Sequence, residues 1–382
     1  MKIVVDKQSF LEKLTPAMAT VSGRGTISSI EGVLIETMGG NTVRLSTYDM
    51  QKGIRTSFEA ESVVEEGSYI IPANRLLQIV RLMPDGEIEI IVDDKYNATI
   101  IGENSRFSLF AQKGADFPNL PELKGDKNFT ISSDVFRRMI GKVIHSVADQ
   151  DSRPMLCGAY FKVYENRLDA VSCDSYTLSK CSVACEIHDV GNVSVIGSAF
   201  NIPGHALNEI MRFLPDKKQD VSVQIARKHA IFIIGDMVFF TRLIDGEYID
   251  YERIMPKQQS IFITLERDRL LGALERSNLV AEEKIQGSVR SYVKLILDGD
   301  NITVTSSSVN GRVKDDIVCT HEGENLEIAF NCKYLLNSVR AADSEELLIT
   351  MKAPTQSITI EPKEKNEDDD FFYMILPVRM HE

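Results

Sequence analysis

The chain of 382 residues has no tryptophan, and no two of its cysteines stand at the two-residue spacing of redox and zinc sites. Cys157, Cys173, Cys181, Cys185, Cys319 and Cys332 form no regular framework, so free and mostly buried thiols in a reducing cytoplasm are expected. Cys181 and Cys185, four apart, read as structural thiols. His145, His188, His205, His229, His321 and His381 are scattered, none at metal-ligand spacing from another or from a cysteine. No dinucleotide fingerprint, Walker A loop, HExxH or GxSxG occurs. The expectation is no catalytic site, no metal and no cofactor. No apolar run approaches the roughly 20 residues that cross a membrane, and the opening MKIVVDKQSF has Asp6 where a signal peptide has an apolar stretch. Neither a membrane nor export is expected.

What is present is a repeat. Phe129 to Gln150 reads as a short strand, a turn residue and an amphipathic helix, and the same order opens at Met1 and at Ser260. The copies begin roughly 130 residues apart, an ordinary domain length. Within each third the strand-to-helix unit occurs twice; SYIIPANRLLQIVRLM is the second copy of the first third. The fold class predicted is α+β: three tandem domains, each with two helices packed on antiparallel strands. Domain ends fall at KGADFPNLPEL and DGEYIDYERIMP, giving domains 1–127, 128–256 and 257–382. The acidic stretch KEKNEDDD reads as a solvated hairpin tip.

The formal net charge is −13, which taken as an average argues against a nucleic-acid partner. Its distribution argues otherwise. On the six expected helices, 7–18, 72–83, 133–147, 203–214, 265–279 and 331–342, bases outnumber acids thirteen to six. Arg75, Gln78 and Arg81 share a helix face, as do Arg138, Lys142 and His145, and Lys333, Asn337 and Arg340. One charged helix face is ordinary; a positive bias repeated over six helices of an acidic chain builds a basic surface suited to a phosphate backbone. Without an aromatic-rich basic stripe, contact with the backbone alone is favoured over base reading or single-strand stacking.

Three tandem repeats, the DFPNLP loop (116–121), the DGxYxDYxRxxP loop (245–256) and the terminal MILPVRM together resemble the bacterial DNA polymerase III beta subunits, the sliding clamps, over the whole chain. The resemblance implies a head-to-tail homodimer whose six domains close into a ring, helices inside, around double-stranded DNA held without sequence preference. It implies a processivity factor that does no chemistry. Its partners would be a replicative polymerase subunit, an ATP-hydrolysing clamp loader and other repair and replication proteins. On this reading Arg24, Arg75, Arg81, Arg137, Arg138, Lys142, Gln150, Arg153, Arg212, Lys333 and Arg340 face DNA. The partner-peptide cleft maps to Leu156, Cys173, Ser175, Tyr176, Thr177, Leu178, Ile249, Arg253, Ile254, Met374, Leu376, Pro377, Val378 and Arg379. The dimer seam maps to Arg106, Phe107 and Leu109 against Leu279 and Val280. The chain departs from the family where many clamps read Thr-Asp-Gly-His-Arg-Leu and this one reads Cys-Asp-Ser-Tyr-Thr-Leu at 173–178, placing Thr177 at the pocket edge in place of an arginine. The run 311–316 is also less acidic than usual. The rival reading is an open or monomeric three-domain repeat protein that binds peptides without encircling DNA.

Overall fold

The computed structural model describes residues 1–23, 27–185, 187–189, 193–281, 283–285, 288–290, 292–308, 311–366 and 368–379. Alternating burial along Lys2–Asp6 makes that segment a half-buried strand. It stops at Asp6, whose carboxylate accepts from the backbone N–H of Ser9 at 2.9 Å and starts helix α1, Lys7–Ala17. The same hand-over recurs through the chain. Helices α2 (Ala73–Leu82), α3 (Ser133–Val143), α4 (Gly204–Phe213), α6 (Arg267–Ala281) and α7 (Cys332–Ala341) each follow directly on a strand; a single-turn helix α5, Tyr251–Ile254, lies in the DGEYIDYERIMP loop. At α7 the cap is Asn331, which accepts from Lys333 and Tyr334 N–H. The six long helices lie within a few residues of their predicted spans. Two boundaries move: α3 ends at Val143 and tightens into a 3-10 turn, Ile144–Ser146, and α6 starts at Arg267 because Leu265 belongs to the strand Ile261–Glu266.

Every described strand pair is antiparallel, and the chain forms two compact units. The first comprises Met1–Ser133, His188–Val195 and Glu209–Leu243. In it a five-stranded sheet ends on the strand Ser105–Phe110. A ten-stranded sheet runs from the first third of the chain into the middle third, because Lys52–Glu59 pairs with Met237–Arg242. Phe10, Leu14, Leu76 and Val80 of α1 and α2 pack on Ile3, Val33, Ile35, Val43, Leu45 and Ile90. A smaller cluster on the ten-stranded sheet seats Phe117 of the DFPNLP loop on Leu34, Ile70, Tyr48 and Phe240.

The second unit comprises Asp134–Ile187, Ile196–Asn208 and Ile244–Glu382. Its nine-stranded sheet joins the middle third to the last, with Thr177–Ala184 paired to Asp369–Ile375. A four-stranded sheet ends on Gly311–Val318. Leu270 and Leu274 of α6 and Leu335, Leu336 and Val339 of α7 bury themselves among the last-third strands. The compact units therefore cut across the repeat, and the middle third contributes one sheet segment to each.

Candidate nucleic-acid interface and peptide cleft

Arg75 and Arg81 stand exposed on α2, where Leu76, Leu77 and Val80 take the buried side. Arg212 is exposed on α4, 3.2 Å from Glu209, which also lies 3.6 Å from Lys52. On α3 Arg138 is exposed, with Nε 3.2 Å from Asp369, and Arg137 is half-buried. Lys333 is exposed in the first turn of α7, and Arg340 at its end meets Glu275 at 3.1 Å. Gln150 is exposed. Arg153 is tied to Asp151 by Nε and Nη2 at 3.0 and 3.1 Å, and these bonds hold the Asp151 carboxyl down to about 2. Arg24 lies outside the described residues.

Lys142 is a correction. Helical spacing places it beside Arg138, but the residue is 3% exposed. Its ammonium meets Asp369 at 2.6 Å and Asp343 at 2.9 Å and lies over the Phe371 ring. Burial pulls its pKa down, the two carboxylates push it up, and the second effect prevails. A lysine neutralised twice over is a brace and not a seat for phosphate. His145, its neighbour on that face, is half-buried and edge-on to Tyr373, with Nε2 3.0 Å from Ser179 Oγ. Burial pushes its pKa down to about 4, so the ring is neutral at physiological pH.

A pH dependence follows. The folded imidazole resists a proton that the unfolded chain takes up near pH 6.5. His145 therefore favours the folded chain fully above pH 6.5 and loses that contribution as pH falls toward about 4. Denaturant midpoints of the native chain and of His145→Gln should converge over that interval, the difference shrinking by up to about 3 kcal/mol; parallel pH profiles would show that His145 does not titrate this way.

The mapped cleft residues divide into a floor and a rim. Leu156, Cys173, Leu178 and Met374 are buried with Val171 and Tyr251 in one cluster, and Ile249 packs against it. Adjacent strands bring Leu178 opposite Met374. Ile254, Tyr176, Leu376 and Val378 are exposed apolar side chains, an arrangement that marks a recognition surface more often than a core. Pro377 is half-buried; Arg253, with Nε 3.4 Å from Asp250, and Arg379 are exposed. Backbone pairing runs to the end of this strand: Leu376 N–H donates to Tyr176 O and Val378 N–H to Ala329 O, each at 2.8 Å.

The departure from the family lies in the turn 173–178. Asp174 accepts from the N–H groups of Tyr176 and Thr177 at 2.9 and 2.6 Å. Ser175 sits at φ 79°, a conformation that favours the glycine many clamps have there. Thr177 is a second correction: it is buried, and its hydroxyl donates to Ser146 Oγ at 2.8 Å, so it supplies no polar edge. Residues the sequence reading passed over complete the surface. Tyr334 stacks under Tyr176, ring centres 5.6 Å apart and planes at 18°. An open groove of about 960 Å³ brings Gln150, Arg153, Ser175, Tyr176, Lys333 and Tyr334 onto one wall system. A tyrosine in the first turn of α7, one residue after Lys333, was the available signal.

The mapped seam residues lie on an edge strand and on the last turn of α6. Ser105–Phe110 is an edge strand with Arg106 and Phe107 exposed and Leu109 half-buried against the core. Phe110, which the sequence reading passed over, is 81% exposed. In the last turn of α6 Leu279 is 82% exposed and Val280 half-buried. On the edge strand Gly311–Val318, Asp315 is taken by Arg276 at 2.8 Å and Asp316 by Lys314 at 3.1 Å.

Models of the DNA polymerase III beta subunit match residues 1–121 (N-terminal domain), 130–250 (central domain) and 252–379 (C-terminal domain). The chain belongs to the DNA polymerase III beta subunit family. The beta sliding clamp of Staphylococcus epidermidis is 25% identical to it over the full length of both chains. The DNA polymerase sliding clamp of Bacillus subtilis superposes with a TM-score of 0.90 at 25% identity, all of each chain being covered. A putative DNA polymerase III beta subunit of Eubacterium rectale gives the same TM-score, identity and coverage. Three tandem clamp domains of α+β type are thereby established, and no described helix is long and apolar enough to cross a membrane.

Proposed function

We propose that two copies of the chain join head to tail into a ring that encircles duplex DNA in the cytoplasm and tethers a replicative polymerase to it. The three domains are 1–127, 128–256 and 257–382. One observation carries the reading: each family match spans a repeat whose helices bear exposed arginines or lysines, in a chain of net charge −13. Arg75, Arg81, Arg138, Arg212, Lys333 and Arg340 then face phosphates, and the acidic remainder keeps DNA off other surfaces. Contacts to phosphate alone fix no register, so the protein slides. Partner peptides of the polymerase, the loader and repair proteins take the floor of Leu156, Cys173, Leu178 and Met374 and the rim of Tyr176, Ile254, Leu376 and Val378. An extended segment burying an apolar anchor suits such a cleft. The protein does no chemistry of its own; opening the ring is work for an ATP-hydrolysing loader.

The test is retention. Protein loaded on nicked circular plasmid with loader and ATP should co-elute with the circle at moderate salt and leave it after one linearising cut. Retention on the linear form would replace topology by direct affinity and overturn the ring. In a second arm, Ile254→Ala with Leu376→Ala should remain a dimer yet lose both loader-dependent loading on the circle and support of processive synthesis; unchanged loading and synthesis would remove the cleft assignment. An open, monomeric peptide-binding protein would load on neither form and run at 42.8 kDa.

A further inference from the structure

The ten-stranded sheet has a polar block on the face turned away from α1 and α2. Along its central strands Val43, Leu45 and Phe58 enter the helix-covered core. The alternate residues point the other way, where Arg44 stands opposite Ser57 and Ser46 opposite Arg55. Glu36 and Leu34 of the next strand lie opposite Arg44 and Ser46, and Val238 lies opposite Arg55 on the other side. Arg44 and Arg55 are thus diagonal neighbours, roughly 7–8 Å apart at the backbone, two like charges where cross-strand pairs of opposite charge are the stable choice.

No carboxylate among the described residues is in contact with them. Arg44 Nε, Arg55 Nε and Ser46 Oγ are shielded from solvent, and none has a hydrogen-bond partner. Ser46 is wholly buried. Burial and then the Arg44 charge pull the Arg55 pKa below its ordinary value, and Glu36 acts in the opposite sense. The chain has 56 acids to 43 bases and elsewhere gives its shielded bases carboxylates: Lys142 has Asp343 and Asp369, and Lys52 has Glu209. Two half-buried arginines and a buried hydroxyl are neighbours on this face without such a contact. Leu34 and Val238 flank them and keep the local dielectric low.

We propose that Arg44, Arg55 and Ser46 form a binding site for a small oxyanion, a phosphate or a carboxylate. A guanidinium group offers the N–H donors that carboxylate and phosphate oxygens accept, and the unpartnered Nε of each arginine and Oγ of Ser46 are the donors available here. The anion separates the two like charges and supplies acceptors in contact with them, which the Glu36 carboxylate opposite Arg44 does not. The site is distinct from the basic helices and from the peptide cleft, and it stands whether or not the ring does.

Calorimetric titration of the full chain with inorganic phosphate, and separately with succinate, at fixed ionic strength tests it. Wild-type chain should bind at least one of them with a Kd below about 1 mM, and Arg44→Gln with Arg55→Gln should weaken binding by at least about tenfold. Phosphate should also raise the melting midpoint of the wild-type chain and leave that of the double variant in place. Arg55→Gln alone, without added anion, should melt no lower than wild type, since it removes a like-charge contact; this separates loss of the site from loss of the fold. A phosphate response that survives in the double variant belongs to the basic helices, and that result, or no saturable heat with either anion, overturns the proposal.

Discussion

Alanine at Lys142 should cost the unit that holds it about 3–5 kcal/mol, the usual penalty for removing one partner of a buried ion pair. The residue looks replaceable on a helical wheel. In the fold its removal leaves the half-exposed Asp343 unpaired and Asp369 with Arg138 alone, both of which reach it from more than 200 residues further along the chain. Lys142→Met keeps the packing over Phe371 and should lose less than alanine. Adding Asp369→Asn to Lys142→Ala should restore part of the loss, because the poorly exposed carboxylate then keeps only Arg138 as a partner. The ammonium pKa is raised, so the brace is intact at neutral pH and fades only as pH climbs above the ordinary lysine value of 10.5. Denaturant midpoints at pH 7 check the series. A loss below about 1 kcal/mol for alanine would class the contact with exposed ion pairs and return Lys142 to the set of DNA-facing bases.

Aspartate at Phe107 should turn the dimer into a folded monomer of 42.8 kDa by sedimentation. Phe107 and Phe110 are exposed on an edge strand, a combination that soluble proteins avoid unless something covers it. Leu279 is the matching exposed side chain on the other surface of the proposed seam. Losing an aromatic anchor and burying a charge costs about 2–4 kcal/mol per seam, and a two-membered head-to-tail ring contains the same seam twice. The substitution faces solvent in the single chain, so the fold itself should be spared. A variant that remains dimeric at micromolar concentration would move the interface elsewhere.

The architecture was legible because it repeats. Strand-to-helix transitions such as Phe129 to Gln150 carry their own periodicity, and three copies at even spacing support one another. Leu178 and Met374, mapped to the cleft floor by the resemblance, are buried within the strands Thr177–Ala184 and Asp369–Ile375, in runs of consecutive buried residues that a simple alternation does not predict. Periodicity says which residues share a face; it does not say what comes to cover that face. Helical spacing alone leaves Lys142 and His145 on an open face, and their cover arrives from Asp369 and Tyr373 in the last strand. Thr177 inherited an edge role from its place in a motif, although the Asp174 turn rotates it inward to Ser146. Tyr334 and Phe110 were missed because stacking and edge exposure depend on neighbours distant in sequence.

The unbroken sheets have a consequence for inheritance. The middle third shares main-chain bonds with the first through Ile54 and Phe239, and with the last through Leu178 and Met374. A chimera that trades one third for that of a distant relative must splice a living hydrogen-bond ladder, so successful recombination should exchange whole sheets and drift slowest along those two strand borders.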